Sequence, residues 1–214
     1  PTHHGMFDIS YLRCLPGAVV MQPKDEDEQV DMLYSALEYR VPTFIRWPRG
    51  AAQGTEIKKE PVFIEKGKAE VVREGTDVQF WALGPWVADC QRLADILSEK
   101  TDQSIGVVNA RFAKPLDKQL LNYQAGKARL IVTFEDNVLS GGFGGGVLEA
   151  VNDQNLNLPV LRIGWPDLFV AHGSSVNELR AENGLDDGTI LGQIEIKLEE
   201  LLGNQVQNPF PSLH

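Results

Sequence analysis

Basic residues are in short supply: 20 Lys and Arg stand against 30 Asp and Glu, a formal charge of −10. Such a balance argues against a nucleic-acid-binding domain, which neutralises phosphates with Lys and Arg. Cysteine is nearly missing. Cys14 and Cys90 lie far apart and have no partner at metal-ligand spacing, so neither a disulfide framework nor a zinc site is implied, and a reducing cytoplasm is the default compartment. No apolar run approaches the ~20 residues of a spanning helix, and no basic stretch followed by an apolar one opens the chain. Membrane and secretory readings fall away. Internal repeats and low-complexity tracts are lacking too, as is an initiating Met: Pro1-Thr2-His3-His4-Gly5 reads like the interior of a longer polypeptide from which something upstream has been removed.

What is present is core material. Of 214 residues, 43% are apolar, enough for one or two domains, here one complete domain and a piece of another. The run Ala18–Met21 has strand character and is stopped by Pro23. Asp25–Tyr39 reads as a helix with Val30, Leu33, Tyr34 and Leu37 on one face and four acids in its first turn. Thr43–Trp47, between Pro42 and Pro48, is a second strand, so the unit is a parallel crossover. Ala51–Glu65 has no sustained period and marks a boundary between domains. Beyond it, Lys68–Arg73 and Val78–Leu83 read as an antiparallel pair around the turn Glu74–Asp77. A helix over Pro85–Lys100 follows, with Val87, Leu93, Ala94 and Leu97 inward. Ile105–Asn109, Leu130–Phe134 and Val160–Ile163 are buried strands, separated by the helix Asp117–Gly126 and by a Gly-rich helix beginning near Gly141. Two polar-faced helices over 174–202 and a loose tail close the chain. Alternating sheet and helix is the signature of an α/β fold.

Some residues could carry chemistry. His3 and His4 are adjacent and would diverge, which disfavours joint chelation; one of them facing a pocket, a surface loop pair and a tag relic all remain open. A neutral imidazole in a Gly-bordered loop suits acid/base work or a substrate hydroxyl. Arg46 and Arg49 stand at the carboxyl end of a parallel strand, where ligands bind in open α/β sheets. Arg49 is the better phosphate fork, with a salt bridge as the alternative, while Arg46 reads as structural. Gly141–Gly146 superficially follows the layout of a phosphate cradle but matches neither the Walker nor the dinucleotide spacing; close helix–sheet packing, or close approach of another chain, explains the glycines equally well. Glu135 and Asp136 would face opposite ways at a strand end, so capping or an interface suits them better than joint catalysis. Cys14, without a base beside it, is set aside.

Pro-Thr-His-His-Gly-Met-Phe-Asp-Ile-Ser-Tyr-Leu-Arg-Cys-Leu-Pro at 1–16 closely resembles a stretch in the middle domain of the 1-deoxy-D-xylulose-5-phosphate synthase family. Met21–Glu28, Arg46-Trp47-Pro48-Arg49-Gly50, Val108–Asp117, Phe134-Glu135-Asp136-Asn137 and Gly164-Trp165-Pro166-Asp167 are similar to that family in the same order, with weaker similarity to about residue 202. The resemblance implies a three-layer transketolase C-terminal domain, mostly parallel with one antiparallel edge strand, over 67–204. Before it come the last part of a pyrimidine-binding α/β domain at 1–52 and a linker at 53–66, and after it a loose tail at 205–214. It implies an enzyme that uses thiamine diphosphate and Mg²⁺ to decarboxylate pyruvate and to join the two-carbon unit to D-glyceraldehyde 3-phosphate, feeding isoprenoid, thiamine and pyridoxal precursors. By the same resemblance His3 matches the family's active-site histidine and Arg49 its acceptor-phosphate arginine, with His4, Tyr11 and Arg46 in supporting places. The family's cofactor-activating glutamate, its diphosphate and Mg²⁺ site, and an aspartate four residues before His3 would all fall before Pro1. The chain alone is therefore expected to be inactive, to hold no cofactor tightly and to need the missing N-terminal region, as part of a homodimer. Half of a transketolase or of a 2-oxoacid dehydrogenase E1 β subunit is the nearest alternative. A non-catalytic assembly module is the alternative from another class.

Overall fold

The computed structural model of the chain describes residues 4–48, 53–171 and 175–206. Along β4 (Val78–Ala82), β5 (Ile105–Asn109) and the first part of β7 (Leu130–Val138), side chains alternate between two separate apolar clusters, as a strand's period of two requires. Phe80, Val107 and Val132 enter one cluster; Trp81, Val108 and Ile131 enter the other. The first is closed by α3 (Trp86–Thr101) and α7 (Asp187–Val206), through Leu93, Leu97, Ile190 and Ile194. The second is closed by α4 (Lys118–Ala125) and α5 (Phe143–Asp153), through Leu121, Phe143 and Val147. Three layers result, the α/β architecture that the alternating pattern implies.

The strand order is β3 (Glu70–Arg73), β5, β4, β7, β8 (Val160–Trp165), parallel throughout except for β3, which runs antiparallel to β5 at one edge. The antiparallel edge strand is therefore present, but the expected hairpin between β3 and β4 is not. β4 is apolar on both faces and is buried by parallel neighbours on either side, whereas β3, with Glu70 and Arg73, suits an edge. The presumed turn crosses the start of β5 instead, where the N–H groups of Thr76 and Asp77 donate to Ser104 O at 3.2 and 2.9 Å.

A smaller sheet is formed by β2 (Thr43–Ile45), β1 (Val19–Met21) and β6 (Phe112–Lys114), in that order. β1 and β2 are parallel and joined through α2 (Glu26–Tyr39), the crossover read from the sequence. β6 is antiparallel to β1 and comes from beyond residues 53–66. It is three residues long and was not foreseen, nor was α1 (Asp8–Leu12).

Helix α2 turns its apolar stripe outward: Leu33, Tyr34 and Leu37 are 48%, 42% and 80% exposed, while Glu28, Asp31, Met32 and Ser35 are buried. The cause is the irregular segment that follows β2. Between residues 54 and 64 it has no strand partner, so its backbone N–H groups need acceptors. Asp27, Asp31 and Ser35, four residues apart, provide them for Lys58 (2.8 Å), Val62 (2.7 Å) and Ile64 (2.8 Å). Tyr39, four further on, donates its hydroxyl to Ile64 O at 2.6 Å. Hydrogen-bonding demand, together with Met32 in the apolar cluster of β1 and β6, orients this helix. Among the described residues no helix is long and apolar enough to cross a membrane.

Candidate functional site

A cleft of about 480 Å³ opens where several strands end: Gln22 follows β1, Arg46 to Pro48 follow β2, Asp136 lies near the end of β7, and Trp165 ends β8. Carboxyl ends of parallel strands are the usual ligand side of an open sheet, because the crossover loops converge there. His4, Gly5 and Asp8 complete the wall from the chain's beginning. The His4 ring meets the Phe169 ring edge-on at 5.5 Å, and Phe7 meets the same ring at 5.5 Å.

Arg46 dominates the electrostatics of this wall. Its Nε donates to both Asp8 carboxylate oxygens at 3.0 and 2.9 Å, its Nη1 donates to Gln22 Oε1 at 2.9 Å, and its Nη2 donates to the carbonyls of Gly5 and Asp136. So committed, it is not a free fork for a ligand phosphate, in keeping with the structural role read from its place in the strand. On the far side, the Asp136 carboxylate pairs with Arg180 at 3.2 Å, and that guanidinium lies 3.8 Å over the Trp86 ring and also pairs with Asp89 at 3.0 Å. Arg180 escaped the sequence reading because it lies on α6 (Val176–Glu182), a short helix with no buried residue to mark it.

The Gly-rich stretch serves the protein itself. The buried Glu135 carboxylate accepts the N–H groups of Phe143 and Gly144 at 2.6 and 2.8 Å, occupying the start of α5 where a phosphate would otherwise sit. A Cβ at Gly142 would lie 2.2 Å from Glu135 Oε2, and one at Gly146 would lie 2.7 Å from Arg13 Nη2. Arg13 in turn donates to the carbonyls of Gly141 and Gly142 at 2.7 and 2.8 Å. Close helix–sheet approach thus explains Gly142 and Gly144, and the Arg13 side chain explains Gly146, while Glu135 and Asp136 do face opposite ways.

Burial pushes the Glu135 carboxyl from 4.5 up to about 7, against the two backbone N–H groups that favour its charge. Because the folded state holds this proton more tightly than the unfolded chain, its contribution to stability is complete below about 4.5 and is lost as pH rises through about 7. Urea unfolding across that window is expected to show a decline that flattens in Glu135→Gln. Parallel pH profiles for the two proteins would exclude Glu135 as the source.

His3 and Arg49 lie outside the described residues. Their chain neighbours His4 and Pro48 both line the cleft, whereas Tyr11 is exposed and does not line it. Cys14 is exposed and Cys90 buried, its thiol pushed well up by that burial. Among the described residues no group of three or more His, Cys, Asp or Glu side chains could hold a metal ion. With Arg46 committed as well, the described residues do not fit a diphosphate with its cation.

The family model for the transketolase C-terminal domain matches residues 67–190, and that for the transketolase pyrimidine binding domain matches residues 1–54. The chain belongs to the transketolase family. It is 45% identical over 185 residues to the 1-deoxy-D-xylulose-5-phosphate synthase of Methylacidiphilum infernorum, an alignment covering 86% of this chain and 29% of that protein. The synthase of Thermomicrobium roseum is 47% identical over 190 residues, covering 88% of this chain and 30% of the relative. The chain therefore spans less than a third of these relatives' length. Among solved structures, a split-gene transketolase, an inactive β4 tetramer, superposes with a TM-score of 0.77 at 27% identity, covering 90% of this chain and 61% of that one. The observed α/β layering is thus the transketolase C-terminal fold.

Proposed function

We propose that this transketolase-family chain is the C-terminal portion of a 1-deoxy-D-xylulose-5-phosphate synthase. The whole protein would decarboxylate pyruvate and join the two-carbon unit to D-glyceraldehyde 3-phosphate, in the cytoplasm and as a homodimer. Residues 1–52 are the end of its pyrimidine-binding domain, 53–66 a linker and 67–204 its third domain. The observation that carries this reading over a transketolase is the level of identity, 41–47% to eight synthases against 27% to the split-gene transketolase. His3 supplies an acid/base imidazole and Arg49 a guanidinium for the acceptor's phosphate, a role supported by the cleft that their neighbours line. Thiamine diphosphate, which supplies the carbanion chemistry, and Mg²⁺ are held by the rest of the polypeptide, so this chain alone is inactive.

The test is CO₂ release by the product of the complete reading frame. Pyruvate with glyceraldehyde 3-phosphate should be consumed, and a frame product that releases no CO₂ from this pair would overturn the synthase reading in favour of a transketolase. In the active protein, Arg49→Ala is expected to raise KM for the phosphorylated acceptor by about 10- to 150-fold, the loss of ~1.5–3 kcal/mol from a charge-assisted pair. Unphosphorylated glyceraldehyde should be insensitive to the change, and an unchanged KM for the phosphorylated acceptor would remove Arg49 from the site.

A further inference from the structure

We infer that Arg46 is a positioning residue for the reaction proposed above, a reading on which the inference rests: its guanidinium ties Gly5 and Asp8, at the wall of the cleft, to the end of β1 and to β7. Three separate pieces of chain meet on this one group: the opening segment through Gly5 and Asp8, Gln22 after β1, and Asp136 on β7. Gly5 is two residues from His3, and Arg46 itself is three residues from Arg49. Gly5, Asp8 and Gln22 fall within the stretch matched by the pyrimidine binding domain, and Asp136 within that matched by the C-terminal domain.

All four partners present oxygen to the guanidinium: a carboxylate, a side-chain amide oxygen and two carbonyls. Without the cation these dipoles repel one another at the wall of the cleft. The Asp136 carbonyl cannot swing aside to relieve this, because it belongs to the backbone of β7, while the side chain of the same residue is held by Arg180 at 3.2 Å. Within the opening segment Met6 is anchored separately, its carbonyl accepting the Val138 N–H at 2.8 Å, so the loss of Arg46 acts on Gly5 and Asp8 to either side of it. Lysine is a poor substitute, since a point charge with three donors cannot reach acceptors spread around a planar fork.

Two measurements test this. On the present chain, Arg46→Lys should speed amide hydrogen exchange at residues 4–8 and 46–48 while leaving the β4–β5–β7 sheet protected. In the complete reading frame, Arg46→Lys should raise KM for glyceraldehyde 3-phosphate about 10- to 100-fold, the usual cost of misplacing a reacting group by an ångström, with KM for pyruvate little changed. Guanidinium ion added to Arg46→Ala should restore part of that loss. A merely structural role would lower kcat through a smaller active fraction and leave both KM values alone. Unchanged exchange in this chain, or an unchanged acceptor KM in an active protein, overturns the inference. An inert wild-type protein overturns the synthase reading instead, and the exchange measurement then still decides the tethering.

Discussion

Glu28→Ala is expected to destabilise the chain by about 2–4 kcal/mol, because it removes the buried acceptor of a charged cluster in which only Glu70, at 3.2 Å from Asn109 and Arg111, remains to share the load. The Glu28 side chain is 3% exposed. Its carboxylate accepts the Lys24 N–H at 2.8 Å, the Asn109 amide at 2.8 and 3.1 Å, and Arg111 Nε at 2.7 Å. Asn109 is wholly buried, and Arg111 adopts a left-handed backbone at φ 58°, uncommon for a residue with a Cβ. Glu28 thereby fastens α2 to the end of β5 and explains the Asn-Ala-Arg-Phe run of the family resemblance as a seam, not a ligand site. The loss measures a guanidinium and an amide left with Glu70 alone; replacing Glu28 and Arg111 together by Met should cost less. Urea titrations of Glu28→Ala, the double variant and the surface control Leu37→Ser would decide the matter. Equal midpoints for wild type and Glu28→Ala would mean that the seam contributes nothing.

The second large effect is kinetic. In the complete reading frame, His3→Ala is expected to lower kcat by about 10²–10⁴-fold, the range for removing a positioned general acid or base, with the melting temperature unchanged. In the reaction proposed above the acceptor's carbonyl oxygen gains a proton as the new carbon–carbon bond forms, and an imidazole is a side chain suited to give it. The neighbouring His4 supplies the contrast. Its ring is engaged edge-on with Phe169, and His4→Ala should act mainly through packing, with a modest change in kcat. A reversed order, with His4→Ala inert and His3→Ala at wild-type turnover, would transfer the proton-handling role from one histidine to the other.

How far the sequence disclosed this molecule varied by element, for physical reasons. The strands buried on both faces, β4, β5 and β7, were legible because the same apolar run that identifies them also fills two cores. α3 was legible because its inward residues Leu93, Ala94 and Leu97 obey helical spacing. α2 misled, since its Leu33, Tyr34 and Leu37 stripe looks like a core face and is not one. The better clue was the row Asp27, Asp31, Ser35, Tyr39, a ladder of hydrogen-bonding groups along one face. β6 was hidden by its length and by Pro115 directly after it, and it exists only because β1 offers an edge. Partner choice for β3 was likewise illegible, because a short turn favours a hairpin while β5 and β7 already occupy both edges of β4. Around the cleft, the position of Arg46 at a strand end was readable from sequence. Its convergence with Asp8, Gln22 and Asp136 was not, because those residues lie 38, 24 and 90 positions away.

The strand β6 has an evolutionary consequence. Phe112, which lies after the segment joining the two matched regions, fills the cluster formed by Val19, Met21 and Met32. A gene broken or fused at residues 53–66 would hand one recombinant a sheet short of a member and the other an orphan ribbon. Shuffling should therefore conserve the two regions as an inherited couple, with any natural split falling upstream of both.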